Sequence, residues 1–489
     1  MSFCGQNAVK KRVSGLASCL LFGFLLVVFL FADSRSASAL PTPSIKLNAL
    51  PAFARKYGMP CSACHLGWPM LSPFGQAFKD NGYQMGNDRD APIFQQPAYW
   101  PVTFRITPIW HRESVNRVGV DDPAVPGGSK EAQVTTHGFD WTGLDFHTAG
   151  TLAKNFSFYV LPSSDNTGAF HFEAVWARVD NLLGSSWLNF KFGKFELDNL
   201  LSEKRILTLT NESGVYQNYH FQPMGESTLV PISIGDNQAG LEWMGHSKDD
   251  RTRVSASLLT GSDGQPGLSA GRGYNTFLAA SRAFEVGSLG LQRVGGFAYI
   301  GQAPTYFQFN QTSSTVVGTD INGNPVTSTT TAGVGGTAVG NRGFYRVGLI
   351  GQWYIKKVDL TTMFFHGSDD VYLGTNTPAN TPTALPVGAR APAWNGGLFE
   401  THYTPNPQLV IINRYEAIRM SQQALPGIAQ NFGNLDMVTF GFRYYPFISS
   451  RAGFAFHNEY SILRRRGAAP ISGLDLTSSS LLVGFDFAF

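Results

Sequence analysis

From about residue 98 to the end of this chain, apolar side chains recur at every second position, and that period constrains the fold more than any other feature. In "WLNFKFGKF", Leu188, Phe190 and Phe192 share one face, while Asn189, Lys191 and Gly193 share the other. "VTFGFRYY" sets Val438, Phe440, Phe442 and Tyr444 against Thr439, Gly441 and Arg443. "FAFHNEYSI" sets Phe454, Phe456, Tyr460 and Ile462 against His457, Glu459 and Ser461. Successive side chains of a strand point to opposite faces, so each stretch reads as a strand with one apolar and one polar face. About sixteen such segments follow one another, beginning at "WPVTFRITPIW".

A soluble sandwich alternates in the same way, but two features favour a membrane barrel. The candidate strands run about ten residues, the length that crosses a bilayer core when tilted. The chain also ends "LLVGFDFAF", with Leu481, Val483, Phe485, Phe487 and Phe489 on one face. That ending resembles the C-terminal strand signal of bacterial outer-membrane barrels. "AKN" (153–155) and "KKV" (356–358) read as short periplasmic turns. The Thr/Gly/Pro-rich stretches 303–342 and 368–393 read as extracellular loops, the first with a hairpin turn at Asn322-Gly323. Residues 200–236 fit no strand rhythm.

The N-terminus supplies the export such a barrel needs. Lys10, Lys11 and Arg12 precede the apolar run "LASCLLFGFLLVVFLFA", and Ala37-Ser38-Ala39 forms a small-x-small cleavage site. This predicts a signal peptide over 1–39, with an uncleaved anchor as the competing reading. Cleavage removes Cys4 and Cys19, leaving Cys61 and Cys64 of the four cysteines. It also removes four basic residues (Lys10, Lys11, Arg12, Arg35) and one acidic residue (Asp33) from totals of 37 and 34, so the exported chain is close to neutral. A near-neutral chain gives no basic face for a nucleic-acid partner.

Between signal and first strand, residues 40–97 carry helix punctuation. Pro51 opens a short helix that Gly58 ends; Ser72 caps another, with Pro73 at its first position and Asn81-Gly82 at its end. Between them stands Cys61-Ser62-Ala63-Cys64-His65. C-x-x-C-H in an exported chain is the attachment signature of haem c. Two thiols on one turn each add to a vinyl group, and the adjacent imidazole is held against the iron. A thioredoxin-like disulfide would expect βαβ surroundings, and a zinc site a fourth ligand. For the sixth ligand, Met70 and Met59 lie too near His65 in sequence. Met85 follows the second helix and is the candidate, with His147, His171 and His457 open if the segment enters the barrel.

"LPAFARKYGMPCSACHLGWPMLSPFGQAFKDNGY" resembles the N-terminal segment of fused outer-membrane cytochrome–porin proteins, including the iron-oxidising outer-membrane cytochromes c. At residue level the resemblance covers about 50–83; the barrel matches as a pattern. It implies a mainly β architecture, an antiparallel outer-membrane barrel of about sixteen strands (98–489) plugged by a small α-helical monohaem segment (40–97). It implies that Cys61 and Cys64 hold one covalent haem c with His65 as proximal ligand. It further implies electron transfer from an extracellular donor, Fe(II) foremost, to a periplasmic carrier such as a c-type cytochrome. A porin-type channel with a haem-bearing plug and a haem peroxidase or sensor are the alternatives.

Overall fold

The computed structural model describes residues 52–67, 70–86, 90–92, 101–164, 168–197, 237–260, 274–306, 309–319, 325–334, 338–369, 393–420, 434–447, 453–467 and 469–488. The predicted signal, the stretch 200–236, Asn322-Gly323 and the terminal Phe489 lie outside these residues. Ahead of the barrel come α1 (Ala52–Tyr57), α2 (Cys61–Cys64), the ribbon strands β1 (His65–Gly67) and β2 (Met70–Leu71), and α3 (Pro73–Asp80). Then follow β3 (Val102–Asp121), β4 (Ser129–Ala153), β5 (Phe156–Ser164), β6 (Phe170–Val179), β7 (Asn189–Phe195), β8 (Gln238–His246), β9 (Thr252–Thr260), β10 (Tyr274–Glu285) and β11 (Leu291–Tyr306). A separate two-stranded sheet, β12 (Phe309–Thr319) with β13 (Pro325–Val334), interrupts the run. The remaining strands are β14 (Ala338–Ile355), β15 (Val358–Asp369), β16 (Ala393–Asn406), β17 (Leu409–Met420), β18 (Leu435–Tyr444), β19 (Gly453–Arg465) and β20 (Leu476–Ala488).

Among the described residues, sixteen strands close into one barrel of antiparallel neighbours, with β20 pairing β3 to seal the ring. Gly484 lies opposite Ile109 and Ala488 opposite Arg105 at that seam. The wall is inside-out relative to a soluble protein. Phe192, Leu349 and Phe364 are 65–70% exposed on the outer face, whereas Thr439, Glu416 and Asp486 are fully buried on the inner one. The sequence's face assignments hold: Asn189 and Lys191 point in while Phe192 points out, and His457, Glu459 and Ser461 point in while Phe456 points out. A closed barrel satisfies every backbone group within itself, and an apolar exterior suits hydrocarbon. This is an outer-membrane β-barrel.

The two rims differ. One carries tight connections such as Lys154-Asn155, where Asn155 takes φ 60°, and Lys356-Lys357. Asparagine tolerates that left-handed backbone because its short polar side chain bonds locally. The other rim carries longer connections, as expected for an extracellular side. Two expectations change in detail. β3 and β4 are 20 and 25 residues long, well past the membrane-crossing length, and project beyond the rim around the turn 122–128. The stretch 303–342 is not plain loop: it holds the ends of β11 and β14 and the β12–β13 sheet.

Candidate functional site

The segment 52–92 sits in the lumen at the short-turn rim, because its partners are inward-facing wall residues near strand ends there. The Ala52 amide donates to Thr103 Oγ1 at 2.7 Å, the Arg55 guanidinium to the Val102 carbonyl, and Lys56 Nζ to Thr151 Oγ1 at 3.2 Å. The local signals act as read. Gly58 takes φ +67° after α1, and Ser72 Oγ accepts from the Gly75 amide at 3.1 Å to cap α3. Gly82 at φ +68° ends α3, where an added Cβ would stand 2.0 Å from an Asp180 carboxylate oxygen of the wall.

Cys61 and Cys64 stand at the two ends of one helical turn, both as free thiols. Burial pushes the Cys61 thiol up to about 11 and raises that of Cys64 as well. His65 leaves the helix in extended backbone (φ −124°, ψ 134°) and opens β1. Its Cα pairs with Leu71, and Gly67 pairs with Met70. The turn is seated on α3 at Gly75, where a Cβ would lie 2.0 Å from the Cys64 carbonyl oxygen, so only glycine permits the contact. Among the described residues, no three His, Cys, Asp or Glu side chains gather in a metal-binding group.

The predicted methionines go to two different places. Met70 is buried against Val410, Ile412, Tyr445 and Ala455, the wall of β17 to β19. Met85 packs with Met59 against the cluster of Tyr57, Phe78 and Tyr83, and its amide donates to Asp90 Oδ1 at 2.8 Å. That cluster continues into the wall of β5 and β6 as a stack: Tyr83 lies 5.8 Å from Trp176 and 6.3 Å from Tyr159, ring to ring.

Charges hold α3 in register. Asp80 pairs with Arg253 of β9 at 2.9 Å and accepts from Gln76 at 2.7 Å, and Lys79 faces Glu196 at 3.4 Å. Arg178 of β6 donates to the Lys79 and Asp80 carbonyls, covering acceptors that the helix end leaves open. Burial alone would raise the Asp80 carboxyl, but Arg253, Lys79 and Arg178 outweigh it and hold it below the usual carboxylate range.

Above the segment the lumen wall changes character. A belt of buried apolar side chains, including Phe195, Phe277, Tyr299, Met363, Leu398 and Leu463, runs from β7 round to β19 on the loop side. Nearer the segment lie buried ionic groups, Arg414 with Glu400 and Glu416, and Asp486 with Arg443, Arg105 and Thr107. Of the three barrel histidines raised from sequence, His171 is exposed, and His147 Nδ1 is 2.8 Å from the Tyr159 hydroxyl. His457 is buried beside Asp486. The carboxylate neighbour was not legible in the sequence, since it lies 29 residues further on and meets His457 only through strand pairing.

No protein-family model matches the chain, and no curated protein matches its sequence. Solved barrels are similar in outline. An anion-selective porin from Comamonas acidovorans is 11% identical over 79% of this chain and 98% of the porin, with a TM-score of 0.46. The outer membrane channel DcaP of Acinetobacter baumannii is 10% identical over 79% of this chain and 97% of its own, at 0.43. OmpT of Vibrio cholerae is 10% identical over 80% and 98%, at 0.42.

Proposed function

We propose that this outer-membrane barrel is a c-type cytochrome that passes electrons between an extracellular donor, Fe(II) foremost, and a periplasmic electron carrier. The observation that carries the reading is a C-x-x-C-H turn, with both thiols free, on a segment lodged in the lumen of an outer-membrane barrel. The donor set fits haem c. Cys61 and Cys64 share one turn, as two thioether bonds require, and His65 follows directly with its backbone already turned out of the helix. When bound, the haem supplies a one-electron couple at iron held covalently to the chain.

The chain's own residues would do the rest. Gly75 lets the cysteine turn seat on α3, and Asp80, Arg178 and Arg253 fix α3 to the wall. The buried apolar belt is suited to excluding water above the site, which favours an insulated conduit over an open pore. Iron is apt as donor because its insoluble ferric product would stay outside the cell.

The test is an anaerobic titration of the purified ferric protein in detergent with Fe(II), following the haem absorption bands. Prompt, stoichiometric reduction is expected. A haem that dithionite reduces and Fe(II) does not would remove iron as the donor. Absence of haem bands in protein made with c-type maturation would end the cytochrome reading.

A further inference from the structure

The geometry points to His457 of β19 as the sixth ligand of the haem iron, contributed by the barrel wall and not by the cytochrome segment. The inference rests on the haem reading above.

Three observations converge. The first is place. β1 pairs with β2, so His65 stands across from Leu71 and beside Met70. Met70 is packed on Ala455, Val410 and Tyr445, and an added Cβ on Gly67 would touch Tyr445 and Val410 at 3.1 Å. Ala455 and His457 are two residues apart on the same inward face of β19, a separation of about 7 Å. The turn carrying the proximal histidine thus docks on the patch of wall that presents His457.

The second is an orphaned donor atom. The His457 side chain is 2% exposed, yet neither of its ring nitrogens, Nε2 or Nδ1, has a hydrogen-bond partner among the described residues. Burying an unpaired imidazole nitrogen is costly. A metal ion removes that cost.

The third is orientation. His457 Nδ1 lies 3.6 Å from Asp486 Oδ2. Asp486 is itself fixed by Arg443 at 3.2 Å, Arg105 at 3.2 Å and Thr107 at 2.7 Å. The carboxylate faces Nδ1 from just beyond hydrogen-bond reach, and its charge favours the proton on that nitrogen, which leaves the lone pair on Nε2. Other candidates lack this set. His402 has Glu400 at one nitrogen and Asp359 near the other, while Met85 packs with a separate aromatic cluster.

The experiment uses the full chain matured with haem and purified in detergent, with covalent haem measured first as the pyridine haemochrome. The wild type is expected to give a six-coordinate, low-spin electron paramagnetic resonance spectrum. His457→Ala should convert it wholly to high spin, and added imidazole should restore low spin, which a merely structural role would not allow. His457→Met should bring the far-red absorption band of sulfur–iron ligation and a higher midpoint potential. Met85→Ala should change neither. Haem that stays low-spin in His457→Ala, or a wild type already high-spin, would overturn the assignment while leaving the cytochrome reading intact. A wild type without covalent haem would overturn both.

Discussion

Removing the Asp80 carboxylate should loosen the lumen segment without unfolding the barrel. At 2.9 Å from Arg253, and with an effective dielectric of 20, the gross attraction is about 6 kcal/mol. Most of that is offset. Both side chains are only 15% exposed and were desolvated to meet, and Arg253 keeps a second carboxylate, Asp250, at 2.8 Å. A net loss of about 2 kcal/mol for Asp80→Ala is the scale of a largely buried ion pair together with the Gln76 hydrogen bond to the same carboxylate, or about 30-fold in the opening equilibrium. Amide hydrogen exchange over α1 to α3 in detergent reads that equilibrium directly, with the barrel strands as internal control. The sign with pH follows from the depressed carboxyl. The stability it contributes is fully present above its unfolded value, about 4, and is lost as pH falls through the lower folded value. Wild-type protection of the segment should therefore fall in acid, and that fall should be absent in Asp80→Asn. Exchange in Asp80→Ala within threefold of wild type at neutral pH would refute the claim that this pair holds α3.

Gly75→Ala should lower covalent haem yield severalfold, since its Cβ would overlap the Cys64 carbonyl; the haemochrome assay measures it. Phe364→Arg, on the lipid face, should destabilise the barrel by about 2–4 kcal/mol in vesicle unfolding titrations, and more than a lumen substitution such as Thr439→Ala. In protein made without haem maturation, iodoacetamide should label Cys61 slowly at pH 8, with the rate still rising towards pH 11, because burial disfavours its thiolate.

The architecture was legible because a strand's side-chain period is two wherever one face meets lipid and the other does not. Phe190, Phe192, Phe440 and Phe456 could be assigned to a common kind of face by counting alone. Counting cannot say what stands across the lumen. Along β17 the inward positions pass from Arg414 and Glu416 to Ile418, and along β18 from Arg443 and Thr439 to Met437 and Leu435. The first kind meets other charges and the second joins the apolar belt, and only the closed ring determines which. In the segment, Ser72, Gly58 and Gly82 announced themselves because caps and left-handed turns are local. The docking partners Arg178, Arg253 and Ala455 did not, being between roughly one hundred and four hundred residues away in sequence.

The seam between β3 and β20 joins the first and last strands of the barrel, so its pairing must wait for the whole chain. Residues 52–92 are bonded to the inner side of that same closing wall, at Val102, Thr103 and Thr151. β3, which carries Val102 and Thr103, has both of its neighbours only when β20 has paired with it. Order of assembly is written into the topology: the part of the wall on which the segment rests is the last part of the ring to be closed.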